Sequence, residues 1–244
     1  MTSKRWLMIG VMVSLPPLSA CDVISNGVLQ RVAEPSHADG DKPTMTGIDK
    51  ATPEEVKARR LLDAILDRDQ GALEAAIRDG ADPNLPVTVT DARRKALVGF
   101  ERSPAVVLAA RVSDPWFLEH LLAHGGSPSA EAISATDPQV SAFEQAVLAQ
   151  REANLRALIR AGLNLKMKTR QGRGVLDVTA NCLNFPFTTM LVKAGARPES
   201  GRDGGEHFRR NICDPPPALS DRGHEERREL IRELARHGYD LPCK

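Results

Sequence analysis

Ala76-Ile77-Arg78-Asp79-Gly80-Ala81-Asp82-Pro83-Asn84 sets the reading of this chain, because the same phrase returns four more times. The copies are Leu121-Leu122-Ala123-His124-Gly125-Gly126-Ser127-Pro128, Leu158-Ile159-Arg160-Ala161-Gly162-Leu163-Asn164, Leu191-Val192-Lys193-Ala194-Gly195-Ala196-Arg197-Pro198 and Leu234-Ala235-Arg236-His237-Gly238-Tyr239-Asp240. In each, an apolar helical stretch stops at glycine, which enters the left-handed region after a helix without a Cβ penalty. Five glycines are therefore expected to end five helices. Their intervals are 45, 37, 33 and 43 residues. About fifteen residues before each of the first four glycines another apolar helix is expected to end, at Ala64-Ile65, Ala109-Ala110, Ala146-Val147 and Thr179-Ala180. The fold class read from this is all-α, with about five helix-turn-helix units and degenerate terminal units.

The interval of 33 equals the ankyrin period. Gly80-Ala81-Asp82-Pro83-Asn84 resembles the GADxN turn of ankyrin repeats, and Ser103-Pro104 followed by Leu108-Ala109-Ala110 resembles their TPLHxAA opening. The resemblance covers residues 52 to about 241 and implies an ankyrin-repeat solenoid. Three places depart from the pattern: an extra stretch around Leu85 to Arg102, a shorter one around Ala130 to Gln139, and the last unit.

The first helix is marked by Thr52-Pro53-Glu54-Glu55, which supplies an N-cap, a proline at the first helical position and a reciprocal capping glutamate. It is expected to run from about Pro53 to Arg68. In the last unit the expected helices are Glu206 to Cys213, closed by Asp214-Pro215-Pro216-Pro217, and Arg222 or Gly223 to His237. The charge of Glu225 to Arg236 fits the polar outer face of a terminal unit.

The 244 residues suffice for a sizeable core, and 41% of them are hydrophobic while only 4% are aromatic, which favours packed helices over a β-sandwich. Lys and Arg number 33 against 32 Asp and Glu, with no long block of one sign, so electrostatic recruitment of nucleic acid has no support. The N-terminus has its own pattern. Lys4 and Arg5 precede an apolar run from Trp6 to Leu18, too short to span a bilayer comfortably and broken by Pro16-Pro17. Leu18-Ser19-Ala20-Cys21 resembles the lipobox of bacterial lipoproteins. That resemblance implies a signal peptide over residues 1–20, a lipidated Cys21 and a location in the cell envelope facing the periplasm, on either membrane. Residues 21–51 then read as a lipidated cysteine and flexible tether with a mean reach of about 30 Å, and residues 52–244 as the repeat domain.

No Gly-x-Ser-x-Gly elbow, HExxH helix, Walker loop or Rossmann fingerprint occurs, so no catalytic residues, cofactor or metal are assigned. His120 and His124 have a metal-compatible spacing, but the sequence suggests no third ligand, and a structural zinc normally needs four. In an oxidising compartment Cys182 and Cys213, near the ends of adjacent first helices, are the expected disulfide. Cys243, on a short tail, is also within reach of either one.

With no chemistry assigned, function is expected on a surface. Two turn tips are locally basic, one carrying Arg93, Arg94, Lys95 and Phe100 and the other Lys166, Lys168, Arg170 and Arg173. Of the neighbouring rings Trp116 and Phe117, only one can face the core, and Trp116 is expected to be the exposed anchor. The expected partner is another protein, with the membrane engaged only through the lipid on Cys21. The whole reads as an envelope-anchored protein-interaction module, in sharper form an immunity protein that neutralises an antibacterial toxin. The alternative is a scaffold or stress-defence accessory to a periplasmic enzyme.

Overall fold

The Thr52 hydroxyl accepts the Glu55 N–H at 3.2 Å and the Glu55 carboxylate accepts the Thr52 N–H at 3.0 Å, so the first helix begins with both ends of a capping box closed. It is α1, Pro53–Asp67, in a computed structural model that describes residues 51–88, 102–132, 140–169, 172–198, 204–217, 219–241 and 243. Nine further helices follow among these residues: α2 Gln70–Arg78, α3 Ala105–Arg111, α4 Pro115–Ala123, α5 Ala142–Leu148, α6 Glu152–Arg160, α7 Val175–Asn181, α8 Phe185–Lys193, α9 Gly204–Cys213 and α10 Asp221–Arg236. The fold is thus mostly helical. Four two-residue strands form two antiparallel hairpins, β1 Val87–Thr88 with β2 Arg102–Ser103, and β3 Glu131–Ala132 with β4 Val140–Ser141. A single bridge, Lys168 to Gly174, makes a third.

The first eight helices pair in sequence and pack on the next pair, while α9 packs on α7 and α10 on α8. The odd-numbered helices contact in the order α1, α3, α5, α7, α9, and the even-numbered in the order α4, α6, α8, α10. The reason lies in burial. A helix of seven to nine residues cannot bury an apolar stripe alone, so Val106 and Val107 of α3, Phe143 and Val147 of α5, Leu155 and Leu158 of α6 and Phe185 and Leu191 of α8 disappear into one continuous core. Each such side chain contributes about 1.5–3 kcal/mol on burial. Exposed ion pairs such as Arg160–Glu119 and Lys193–Glu229 join neighbouring even-numbered helices and add little.

All five recurring glycines have positive φ, from 80° at Gly80 to 100° at Gly195. At the end of α6, the Leu163 N–H reaches the Leu158 carbonyl at 3.0 Å and the Gly162 N–H reaches Ile159 at 3.1 Å. This two-bond closure satisfies carbonyls that the helix itself leaves open. Gly126 is different: a Cβ there would lie 2.7 Å from the Leu121 carbonyl oxygen and 2.9 Å from Val106, so its role is close approach. Asn84 then locks one turn to the next, its amide donating to the Gly125 carbonyl at 2.9 Å while its oxygen accepts the Ser127 N–H.

Within pairs, three odd-numbered helices end on a non-glycine residue with positive φ: Arg68, Gln150 and Leu183. The end of α3 has no such turn, because Val112 is extended there. Its carbonyls are satisfied from the following unit instead. Buried Asn154 of α6 sends its amide to the carbonyls of Ala109, Ala110 and Val112 at 3.2, 2.9 and 2.9 Å, and the Arg151 Nε donates to Arg111 at 3.0 Å.

The last unit corrects the sequence expectation for the cysteines. Cys213 is bonded to Cys243, with Cα atoms 4.8 Å apart, and not to Cys182. The physical reason is helix spacing: adjacent packed helices lie about 8–10 Å apart, beyond the ~7 Å Cα limit for a bridge, whereas the tail after α10 comes right against the end of α9. Arg227 closes the same end, donating to the carbonyls of Ile212 and Cys213.

Asn154→Ala strands three carbonyls at once and is expected to lower the free energy of unfolding by about 2–4 kcal/mol in urea titrations. Gln150→Gly, on the same link, should be neutral or mildly stabilising, since it relieves a left-handed non-glycine residue. The Cys213→Ser/Cys243→Ser double variant opens a loop with a sequence separation of 30 and is expected to lose about 3.5 kcal/mol, read by the same titration.

Candidate functional site

Three turn segments converge on one face of the later units. Leu163 to Lys168 follows α6, Gly195 to Pro198 follows α8, and Tyr239 follows α10. With the start of α7 and Phe208 of α9 they enclose an open groove of about 1300 Å³. Its floor is apolar: Leu163, Val175, Leu176, Ala196 and Phe208 are buried, and Leu165, Pro198 and Tyr239 are partly so. Its rim is cationic, with Lys166, Lys168 and Arg197 all exposed.

Local rules place each of these groups. The Asn164 side-chain oxygen accepts the Lys166 N–H at 3.0 Å, fixing the bend that turns Lys166 outward. The Lys168–Gly174 bridge and the hydrogen bond from the Thr169 N–H to the Arg173 carbonyl, 2.9 Å, hold the hairpin that follows. Asp177, the one carboxylate lining the groove, is buried and accepts the Gly174 N–H at 3.2 Å, as Glu55 and Glu144 do for their own helix starts. It is therefore a capping group at the groove wall. Burial pushes the Glu144 carboxyl above its ordinary range, against the backbone and hydroxyl hydrogen bonds from Ser141 that pull it down.

Of the residues picked from sequence, Lys168 lies on the groove rim and Arg173 across the hairpin from it. Arg93, Arg94, Lys95, Phe100, Arg170 and Cys21 lie outside the described residues. Trp116 sits elsewhere, on α4 among the even-numbered helices, and is only half-exposed. Phe117 is the ring that enters the core, meeting Trp116 edge to face at a centroid distance of 5.3 Å. Trp116 stacks on His120 at 4.6 Å, and His120 meets His124 at 4.5 Å, a ladder one helical turn apart. Among the described residues no three His, Cys, Asp or Glu side chains converge as a metal site. Also among them, no helix is long and apolar enough to cross a membrane.

Arg197, Phe208 and Tyr239 were not among the site residues expected from the sequence. Arg197 and Tyr239 directly follow the turn glycines or come one residue later, so aligning the five phrases on their glycines was the signal that would have found them. Phe208 had none, since only packing of α9 on α7 brings it to the floor. No family model matches the chain, and no curated protein matches it either. Residue chemistry alone must carry the functional reading.

Desolvation, followed by the neighbouring His124, holds His120 below its ordinary value of 6.5, against the upward pull of Glu74. A histidine lowered in the folded state takes up its proton more readily when unfolded, so its contribution to stability is lost as pH falls below 6.5. Urea midpoints measured at pH 7.5 and 5.5 should show a fall on acidification that is smaller in His120→Gln.

Proposed function

We propose that this chain is an ankyrin-type stack, held at the bacterial envelope through a lipid on Cys21, whose work is to bind another protein, with no chemistry of its own. The observation that carries the reading is the pairing of two helix rows with five glycine-led turns of common geometry, which leaves a broad groove open. The lipobox-like Leu18-Ser19-Ala20-Cys21 supports the anchor, and the tether of residues 21–51 supports a domain held away from the lipid surface. The sharper form is an immunity protein that neutralises an antibacterial toxin in the periplasm.

The test is capture of the C-terminally tagged protein from crosslinked envelopes, compared with a Cys21→Ala control. Enrichment of a secreted, toxin-like protein supports neutralisation, and a resident periplasmic enzyme in its place supports the scaffold form. Deletion of the gene should sensitise cells to a toxin-competent parent; unchanged survival overturns the immunity reading. Mass spectrometry of the mature N-terminus decides the anchor: acyl groups on Cys21 support it, and a Cys21 found in a disulfide overturns it, since lipidation commits that sulfur to a thioether.

A further inference from the structure

Three of the open grooves formed by described residues differ in charge. Between α1 and α2, a groove of about 320 Å³ is lined by Asp63, Asp67, Asp69 and Asp79 together with Arg60. In the groove of about 450 Å³ along α6, α8 and α10, Glu152, Glu226 and Glu229 face Arg156 and Lys193. Of these three, the groove over α7 and α9 reverses the sign. There Lys166, Lys168 and Arg197 stand exposed, and its one carboxylate, Asp177, is buried and turned to the Gly174 N–H. It is also the one of the three with aromatic rings in its lining, Phe208 and Tyr239.

A chain whose charges nearly balance overall has thus gathered exposed cations around an apolar floor in this groove. The geometry points to one occupant: we infer that this groove binds an extended acidic segment of a partner protein, with an apolar side chain seated against Phe208 and Tyr239. The inference rests on the protein-binding reading and gives it a location and a ligand chemistry. Carboxylates on the segment pair with Lys166 and Arg197 at the rim, where they raise the association rate and fix register. The apolar side chain supplies contact area on a floor already shaped by the turns after α6 and α8, so little ordering of the protein opposes binding. The three cations come from two consecutive turns, which sets them along the groove and suits an extended segment over a compact anion.

A random twelve-residue peptide library displayed on phage is selected against the full mature chain. The expected winners carry several Asp or Glu around a large apolar residue. The best of them, labelled and followed by fluorescence anisotropy, should bind Lys166→Glu/Arg197→Glu at least tenfold more weakly than the parent. It should also weaken with added salt, and lose a further several-fold with Tyr239→Ala. Circular dichroism of each variant confirms that the helices are retained, and Arg156→Glu, in the neighbouring groove, should bind as the parent does.

Winners without acidic bias, or binding unchanged by the double reversal in a folded variant, overturn the inference. So does preferential binding of a synthetic peptide of residues 34–50, which would assign the groove to the chain's own tether, or charge-dependent binding of phosphatidylglycerol vesicles, which would assign it to a lipid surface. The crosslinked partner captured from envelopes separates the two levels. A partner retained by Lys166→Glu/Arg197→Glu refutes the groove and leaves the protein-binding reading standing, whereas no partner with either chain refutes both.

Discussion

The reversal of the chain after each even-numbered helix is the constraint on which the remainder depends. A helix of nine residues hides its stripe of leucines only if another pair is laid directly beside it, and the angle at which the chain leaves α2, α4, α6 and α8 decides where that pair goes. The left-handed residue after the helix cap sets the angle, and two backbone hydrogen bonds to the final carbonyls hold it. Asn84 shows how the setting passes from one turn to the next, because its amide binds both edges of the neighbouring turn. The groove is built from the same turns, so the machinery of folding and the shape of the candidate site are one set of residues.

Stability in such an arrangement is shared between neighbours instead of being stored in a centre. Asn154 makes the point locally. The end of α3 has neither a glycine nor a left-handed residue, and its carbonyls depend on a side chain that arrives with α6. The two hydroxyls of Thr179 and Thr188, 2.9 Å apart and fully or nearly buried, tie α7 to α8 in a comparable way. The end of α3 is finished by the pair that follows it, and the end of α9 by Arg227 and by Cys213–Cys243.

Much of the helical frame was legible in the sequence, and for a local reason. Thr52-Pro53-Glu54-Glu55, the glycines and Pro215-Pro216-Pro217 act on the few residues beside them, so their meaning survives without tertiary context. What was illegible acts at a distance. Asn154 reads as an ordinary polar residue near a helix start until α3 is brought against it, and Gly126 reads as a spare glycine until Val106 is seen to occupy the space of its missing Cβ. The cysteine pairing failed in the same way, since counting by unit ignored the width of a helix. Trp116 was placed on the right helix with the right neighbour in the core, but its stacking on His120 depends on a side-chain ladder that a single aromatic pair does not announce. For the groove, the basic tip at Lys166 and Lys168 was visible, whereas Phe208 came from a unit whose own boundaries were blurred.

The bond between Cys213 and Cys243 also changes how the chain transmits force. The proposed anchor is at one terminus, and a partner pulling on the other would load the tail beyond α10. With the bond intact that tension bypasses α10 and enters the structure at the end of α9, where Arg227 grips the last carbonyls. The segment between the two sulfurs, a sequence separation of 30, is shielded, about 100 Å of contour that cannot pay out under load. The bond thus closes this end against peeling of α10, and yielding from this end must begin deeper, at the packing of α9 on α7, beside the groove itself.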